Sequence, residues 1–333
     1  LKTLTEAYGP SGEEEQVRKL IKNMIDQKGA QIIEDPQGNL FVIKSGRKPK
    51  ILISAHMDEI GVITTHINEQ GFVRIAPLGG ISPRYLVGQR LQFHNGLVGT
   101  VYHEKLNDWK ELDWPKLYLD IGAGSGEEAK KLLKIGELAC LMQPFIQMQD
   151  KRLMAKAMDN RAGCAVLVEL INRLPQSLPQ EVCFLFSVKE ELGLRGAKTA
   201  AYRYQPDYGL AVDVTLVGDT PEAPPMAVSL GKGPAIKVKD NSVLCHPAVR
   251  RLLIELAETH KIPYQLEVLT RGGTDAGAIH LAREGVPSGA ISIPCRYVHT
   301  PSEVIDKGDL ELAVNLLEKV TNHSWPELGA QSF

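Results

Sequence analysis

Val182-Cys183-Phe184-Leu185-Phe186-Ser187-Val188-Lys189-Glu190-Glu191-Leu192-Gly193 constrains this chain more than any other stretch. Nearly every position up to Val188 is apolar, as in a strand buried on both faces of a parallel sheet. The run then stops on two adjacent carboxylates and a glycine. Open α/β sheets bind ligands beyond the carboxyl ends of their strands. Two acids placed there can divide the labour, one holding a metal while its neighbour keeps its oxygens free to move a proton. A lone Glu-Glu pair reads more simply as a solvated strand-to-helix turn. The choice depends on how many other strands end in the same way.

The chain has 333 residues, enough for a large core and for two domains rather than one. Its net charge of −2, without a basic run, predicts no nucleic-acid partner. No apolar run approaches the ~20 residues of a membrane span, so no membrane partner is expected. The chain opens Leu1-Lys2-Thr3 without an initiator Met and shows no signal-peptide pattern. Five cysteines, odd in number and widely spread, read as free thiols of a reducing cytoplasm.

Ser11-Gly12-Glu13-Glu14 has the spacing of a capping box, with Ser11 as N-cap of an amphipathic helix reaching about Gln27. Strands at 31–34 and 39–44 flank the Asp35-Pro36-Gln37-Gly38 turn, and a buried strand from Lys50 ends at His56-Met57-Asp58-Glu59. From about Gly61 the texture changes to short alternating strands at 62–67, 72–76, 90–94, 97–103 and 117–121, with one short helix at 127–133. That pattern predicts a small β-barrel, residues 62–151, inserted into an α/β domain made of residues 1–61 and 152–333. In the second part Asp159 precedes an apolar helix (162–174), the strand 208–213 ends on Asp213, and Pro247 opens a helix to about His260. A Gly-rich turn at 271–277 leads into a helix to Glu284. The last strand, 288–293, runs out into Val298-His299-Thr300-Pro301-Ser302-Glu303, and a helix at 309–321 closes the chain. The fold class expected is α/β, a mixed and largely parallel sheet flanked by helices, with the inserted barrel.

Five segments thus deliver a metal-competent residue at a strand end or helix start: His56 with Asp58, Asp159, Glu190 with Glu191, Asp213, and His299. Singly, His56 is an ordinary histidine, Asp159 a helix N-cap, and Asp58 and Asp213 solvated strand ends. Together they form a His/carboxylate set without thiolate, suited to Zn²⁺, Co²⁺ or Mn²⁺ in a hydrolytic site. The set exceeds what one tetrahedral ion needs. Two ions sharing a carboxylate account for it, activating a bridging water while a free carboxylate takes its proton.

In sequence order, Ser54-Ala55-His56-Met57-Asp58-Glu59-Ile60-Gly61, Met158-Asp159-Asn160-Arg161, Lys189-Glu190-Glu191-Leu192-Gly193, Ala211-Val212-Asp213 and Val298-His299-Thr300-Pro301-Ser302-Glu303 resemble the co-catalytic dinuclear aminopeptidases of the tetrahedral type. That group also contains proteins called deblocking aminopeptidases or endoglucanase-like. Gly272-Gly273-Thr274-Asp275-Ala276-Gly277 and Asp113-Trp114-Pro115-Lys116-Leu117-Tyr118-Leu119-Asp120-Ile121-Gly122 match the group too, so the similarity covers nearly the whole chain. The resemblance implies that Asp159 bridges two metals, with His56 and Asp213 completing one site and Glu191 and His299 the other. It implies Glu190 as general base and Asp58 as the residue orienting His56. It further implies a zinc-exopeptidase-like fold and self-association through the inserted domain, as dimers that build a twelve-subunit tetrahedron.

Thr274 and Asp275 are either simple capping residues or part of a substrate-pocket wall where Asp275 attracts a free α-ammonium group. The expected activity is release of N-terminal residues from short peptides. A metal-dependent deacylase or carboxypeptidase on the same scaffold is the alternative, and it requires an exposed cation such as Arg271 or Arg296. A glycosidase would need two carboxylates and no transition metal.

Overall fold

The computed structural model describes residues 1–26 and 29–326. The strand Ser177–Ser187 is embedded in the long strand Leu40–His56, which bends so that both of its arms flank it. On one side Val182 pairs with Ile51 and Ser187 with His56, running parallel. On the other, Val182 faces Lys44, Phe184 faces Val42 and Phe186 faces Leu40, in descending order. Both edges are therefore paired, and residues 182–186 are all 0% exposed. An uninterrupted apolar run is the sequence such a position requires.

Side chains alternate across this layer with period two. Leu40, Val42, Ile53, Phe184 and Phe186 pack beneath the helices Glu15–Met24, Met158–Arg173, Pro247–Thr259 and Lys307–Asn322. Phe41, Leu52, Cys183 and Leu185 face the helices Arg195–Tyr204 and Ala276–Ile279. Fully burying one such Phe or Leu side chain contributes about 1.5–3 kcal/mol.

The ten-stranded sheet runs from Ala30–Glu34 through Leu40–His56, Tyr208–Thr215, Ser288–Arg296, Glu303–Asp306 and Arg152–Ala155 to Ile146–Gln147. Ala235–Lys239 and Gln265–Val268 branch from Ser288–Arg296. The central pairings are parallel and those of Glu303–Asp306 antiparallel, so the sheet is mixed as expected.

Gly61–Ile67, Val73–Leu78, Leu117–Asp120, Val98–His103, Arg90–Phe93 and Leu138–Leu141 close into a separate six-stranded barrel. Its interior is filled by Val62, Val73, Leu91, Val101, Leu119 and Ala139. Leu138–Leu141 joins the barrel's ends, pairing with Gly61–Ile63 on one side and Leu91–Phe93 on the other. Four residues without polar alternation gave no strand signal in the sequence.

Three sequence expectations change. Ser11 and Glu14 form no capping box: the first long helix starts at Glu15, and both side chains turn toward the sheet instead. That helix ends at Met24, where Ile25 becomes extended; the expected end at Gln27 lies outside the described residues. The helix expected to reach Glu284 spans only Ala276–Ile279. Leu281 is 72% exposed, so a longer helix would have no further apolar face to bury. Among the described residues no helix is long and apolar enough to cross a membrane. All five cysteines are buried and free.

Candidate active site

His56 and the Glu pair leave the sheet side by side, because Met57 donates its N–H to the Ser187 carbonyl at 2.8 Å. Asp58, 0% exposed, fastens the two segments together. Its Oδ1 accepts the Glu190 N–H at 3.0 Å. Its Oδ2 accepts the Glu191 N–H at 3.2 Å and the Ser11 hydroxyl at 2.5 Å. Glu14 adds a further clamp, accepting from the backbone N–H groups of Gly12 and Lys189 at 2.7 and 3.1 Å.

Asp159 sits at the start of its helix, and it and Asn160 lie outside helical φ/ψ. Both Glu303 oxygens are used at this point, one accepting the Asp159 N–H at 3.0 Å and the other the His299 N–H at 2.8 Å. One buried carboxylate thereby ties the helix start to the loop after the last long strand.

These anchors bring the side chains together. His56 Nε2 lies 3.1 Å from Asp159 Oδ1, 3.7 Å from Asp213 Oδ1 and 4.0 Å from Glu190 Oε2. His299 Nε2 lies 3.2 Å from Asp159 Oδ2 and 3.1 Å from Glu191 Oε1. Each oxygen of Asp159 thus faces a different histidine. The ligand atoms form two groups, His56/Asp159/Asp213 and Asp159/Glu191/His299, each within 4.8 Å.

The other ring nitrogens select the tautomer. Nδ1 of His56 is 3.2 Å from the Asp58 carbonyl and 3.4 Å from its Oδ1. Nδ1 of His299 is 3.2 Å from the Gly80 carbonyl in the barrel. A carbonyl only accepts, so Nδ1 of each ring carries a proton. Nε2 then either shares a second proton with the carboxylates around it or turns its lone pair to a cation lying among them. Glu191 Oε1 is moreover buried without a hydrogen bond. Both observations fit a divalent ion in each group, with second-neighbour carbonyls orienting the rings.

The electrostatics carry the same signature. Burial pushes the Glu190 carboxyl well above its ordinary range; the His56 charge opposes this, while Asp213, Glu191 and Asp275 add to it. For His56, burial pulls downward, yet Glu190, Asp159, Asp213 and Asp58 together hold its pKa well up. Glu303 is raised to about 8 by burial and by Asp159. Asp275 is raised to about 6, chiefly by burial. Surplus negative charge in a buried space calls for compensating cations.

The site opens into a cavity of about 650 Å³ lined by His56, Asp159, Glu190, Glu191, Asp213 and His299. Gly272 and Gly273 form part of its wall. Thr274 and Asp275, only 1% and 2% exposed, lie behind that wall and do not line it. The Asp275 carboxylate accepts the Ser187 hydroxyl at 2.6 Å.

The sequence of residues 38–316 matches the family described as M42 glutamyl aminopeptidase. The chain belongs to that family. It is accordingly an aminopeptidase, a hydrolase of peptide bonds. It is 52% identical to a putative aminopeptidase of Acetivibrio thermocellus over 95% of this chain and 96% of the relative. It is 30% identical to the lysyl aminopeptidase of Pyrococcus furiosus, covering 98% and 97% of the two chains. Its fold superimposes with a TM-score of 0.88 on the Pyrococcus horikoshii TET1 peptidase, at 35% identity over 96% and 97% of the chains. That peptidase is described as able to assemble into a tetrahedron or a large octahedral shell.

This M42 aminopeptidase contains supports that the sequence reading passed over. Ser11, Glu14, Gly80 and Glu303 all touch residues of the site; Ser11 and Glu14 carry the spacing of a helix cap, Glu303 closes a site motif, and Gly80 lies in no motif. Arg161, 0% exposed, donates to the carbonyls of Met57 (2.6 Å), Leu4 (2.6 Å) and Gly9 (3.0 Å). It also meets Glu59 at 3.3 Å, which in turn binds Lys156 at 2.6 Å. The network pins the N-terminal segment beneath the His56–Asp58 turn. Glu59 and Arg161 lie within site motifs and Lys156 just before one, but 97 and 102 residues separate Lys156 and Arg161 from Glu59, and no spacing rule links them.

Proposed function

We propose that this aminopeptidase releases N-terminal residues from short peptides with the help of two divalent ions, Zn²⁺, Co²⁺ or Mn²⁺. The observation that carries this reading is Asp159, each of whose carboxylate oxygens lies within 3.2 Å of a different histidine Nε2. His56 and Asp213 would hold one ion, Glu191 and His299 the other, with Asp159 shared. Ions bound there lower the pKa of water and polarise a peptide carbonyl.

Glu190 is the general base. Its buried carboxyl lies 4.0 Å from His56 Nε2 and belongs to neither group of ligand atoms, which leaves it free to take a proton from water and return it to the leaving amine. Asp58 holds the backbone of Glu190 and Glu191 against the His56 turn, so the base and a ligand of each ion move as one body. Glu190→Gln should keep both ions while turnover falls about 10²–10⁴-fold. Metal content and p-nitroanilide hydrolysis measured on one preparation test this. Near-normal turnover with full metal would overturn the assignment.

Residues 62–151 form the self-association domain of this reading, and 1–61 with 152–333 the catalytic one, except that Gly61 pairs within the barrel and Ile146–Gln147 within the large sheet. Tyr102 and Trp109 on the barrel are about half exposed, and both ring-pack with His103. Such an exposed aromatic patch suits contact with a second copy, giving dimers and from them a twelve-subunit particle. Five buried free thiols suit a reducing cytoplasm.

A further inference from the structure

We propose that the stretch from Leu266 to Gly273 holds the main chain of the substrate beyond the scissile bond, as an added antiparallel strand; the proposal rests on the aminopeptidase reading above. Among the described residues the strand Gln265–Val268 pairs with Ala235–Lys239 alone. Gln265 and Leu269 donate toward that neighbour, to the carbonyls of Pro234 and Lys239 at 3.0 and 2.9 Å. Main-chain groups of a strand alternate between its two sides, so the N–H and C=O of Leu266 and Val268 point away from Ala235–Lys239. The row continues past the strand's end. The N–H groups of Thr270, Arg271, Gly272 and Gly273 make no hydrogen bond among the described residues.

This open edge leads to the reacting groups. Gly272 and Gly273 line the 650 Å³ cavity together with His56, Asp159 and Glu190. As glycines they line it with main-chain atoms only. Val268, Leu269, Thr270 and Arg271 line a second cavity beside the first, of about 760 Å³, and Leu269 and Arg271 belong to both. Ala235–Lys239 line neither cavity, so the second one lies against the unpaired side of Gln265–Val268.

The opposite walls of the second cavity are largely apolar, with Val217, Pro224, Pro225 and Met226 among them. A peptide lying there gives up water around its own N–H and C=O groups, which is costly unless they find partners. The unpaired groups of 266–273 are such partners, and strand addition to a free sheet edge is how they would be used. With its amino end at His56 and Asp159, the substrate runs from Gly273 toward Val268, against the direction of the protein chain. The pairing is therefore antiparallel. In such a pair every second residue bonds through both its N–H and its C=O, and the residues between them face away.

The test is made on the metal-loaded enzyme with Leu-Ala-Ala-Ala-Ala-amide and three analogues, each N-methylated once, at the third, fourth or fifth residue. None of these changes touches the scissile bond. In the wild type kcat/KM should fall about tenfold or more at alternate positions and stay within about threefold of the parent between them. Val268→Pro removes an outward N–H and no donor to Ala235–Lys239. It should lower the ratio of kcat/KM for the pentapeptide to that for Leu-p-nitroanilide about tenfold, and a ratio cancels effects on steps common to both substrates. Equal values at the three methylated positions, unchanged or uniformly lowered, would overturn the proposal. So would a ratio unchanged within about twofold in Val268→Pro, including the case where that variant instead yields a smaller particle, because the edge would then pair with a second copy of the chain. A wild type that cleaves neither parent substrate would overturn the aminopeptidase reading and this proposal with it.

Discussion

Replacing Asp58 with Asn tests the central joint of the site. Each Asp58 oxygen serves two groups: Oδ1 the Glu190 N–H and, at 3.4 Å, His56 Nδ1; Oδ2 the Glu191 N–H and the Ser11 hydroxyl. An amide puts an NH₂ where one oxygen was. Facing Ser11 it can donate to the hydroxyl, but it still confronts the Glu191 N–H, so one backbone bond to a charged acceptor is lost, at about 1.5–3 kcal/mol before relaxation. That is a sizeable share of the roughly 5–15 kcal/mol of a typical fold. With a urea m-value of about 3 kcal/mol/M, the midpoint should fall by roughly 0.5–1 M. Unfolding should be followed in chelator, so that metal binding does not add its own stabilisation. Ser11→Ala removes one donor and should cost about 1 kcal/mol, a midpoint shift of roughly 0.3 M. An Asp58→Asn midpoint no lower than that of Ser11→Ala would refute the joint.

Gly80→Ala would place a Cβ 2.7 Å from His299 Nδ1, where the ring accepts no intruder. Activity should fall at least about tenfold and one metal equivalent should bind more weakly, with far-ultraviolet circular dichroism unchanged; a fully active variant would contradict the close packing of Gly80 against the His299 ring. Arg161→Lys cannot span three carbonyls and Glu59 with one ammonium. It should destabilise the fold by about 3–5 kcal/mol in denaturant titrations, and a loss under about 1 kcal/mol would show that the N-terminal segment is held by other contacts.

The side chains that converge were legible because each ends a strand or opens a helix whose type was itself legible. Val182–Val188 read as doubly buried, and the structure pairs it on both edges. The sequence alone therefore places His56, Glu190, Asp213 and His299 at one end of a sheet. What stayed hidden were partners fixed by tertiary approach. Ser11 looked like a helix cap because capping and binding a buried carboxylate use the same hydroxyl; only the nearness of Asp58 decides between them. Gly80 reaches His299 from 219 residues away, and no spacing rule links them. Leu138–Leu141 is too short to show a period, and only barrel closure makes it a strand. For Thr274 and Asp275 the sequence leaves capping and pocket wall both open; the glycines before them do form wall, whereas the two polar residues are buried behind it.

The most direct measurement is metal reconstitution of chelated enzyme, counting bound ions per subunit while following hydrolysis of a panel of aminoacyl-p-nitroanilides and their N-acetyl forms. Two equivalents should bind, with activity on free-amine substrates alone, lost on chelation and regained as the sites fill. Asp159→Asn should weaken both equivalents together. Full activity in excess chelator, binding of a single equivalent, or cleavage of the acetylated substrates would contradict the two-ion aminopeptidase built around Asp159.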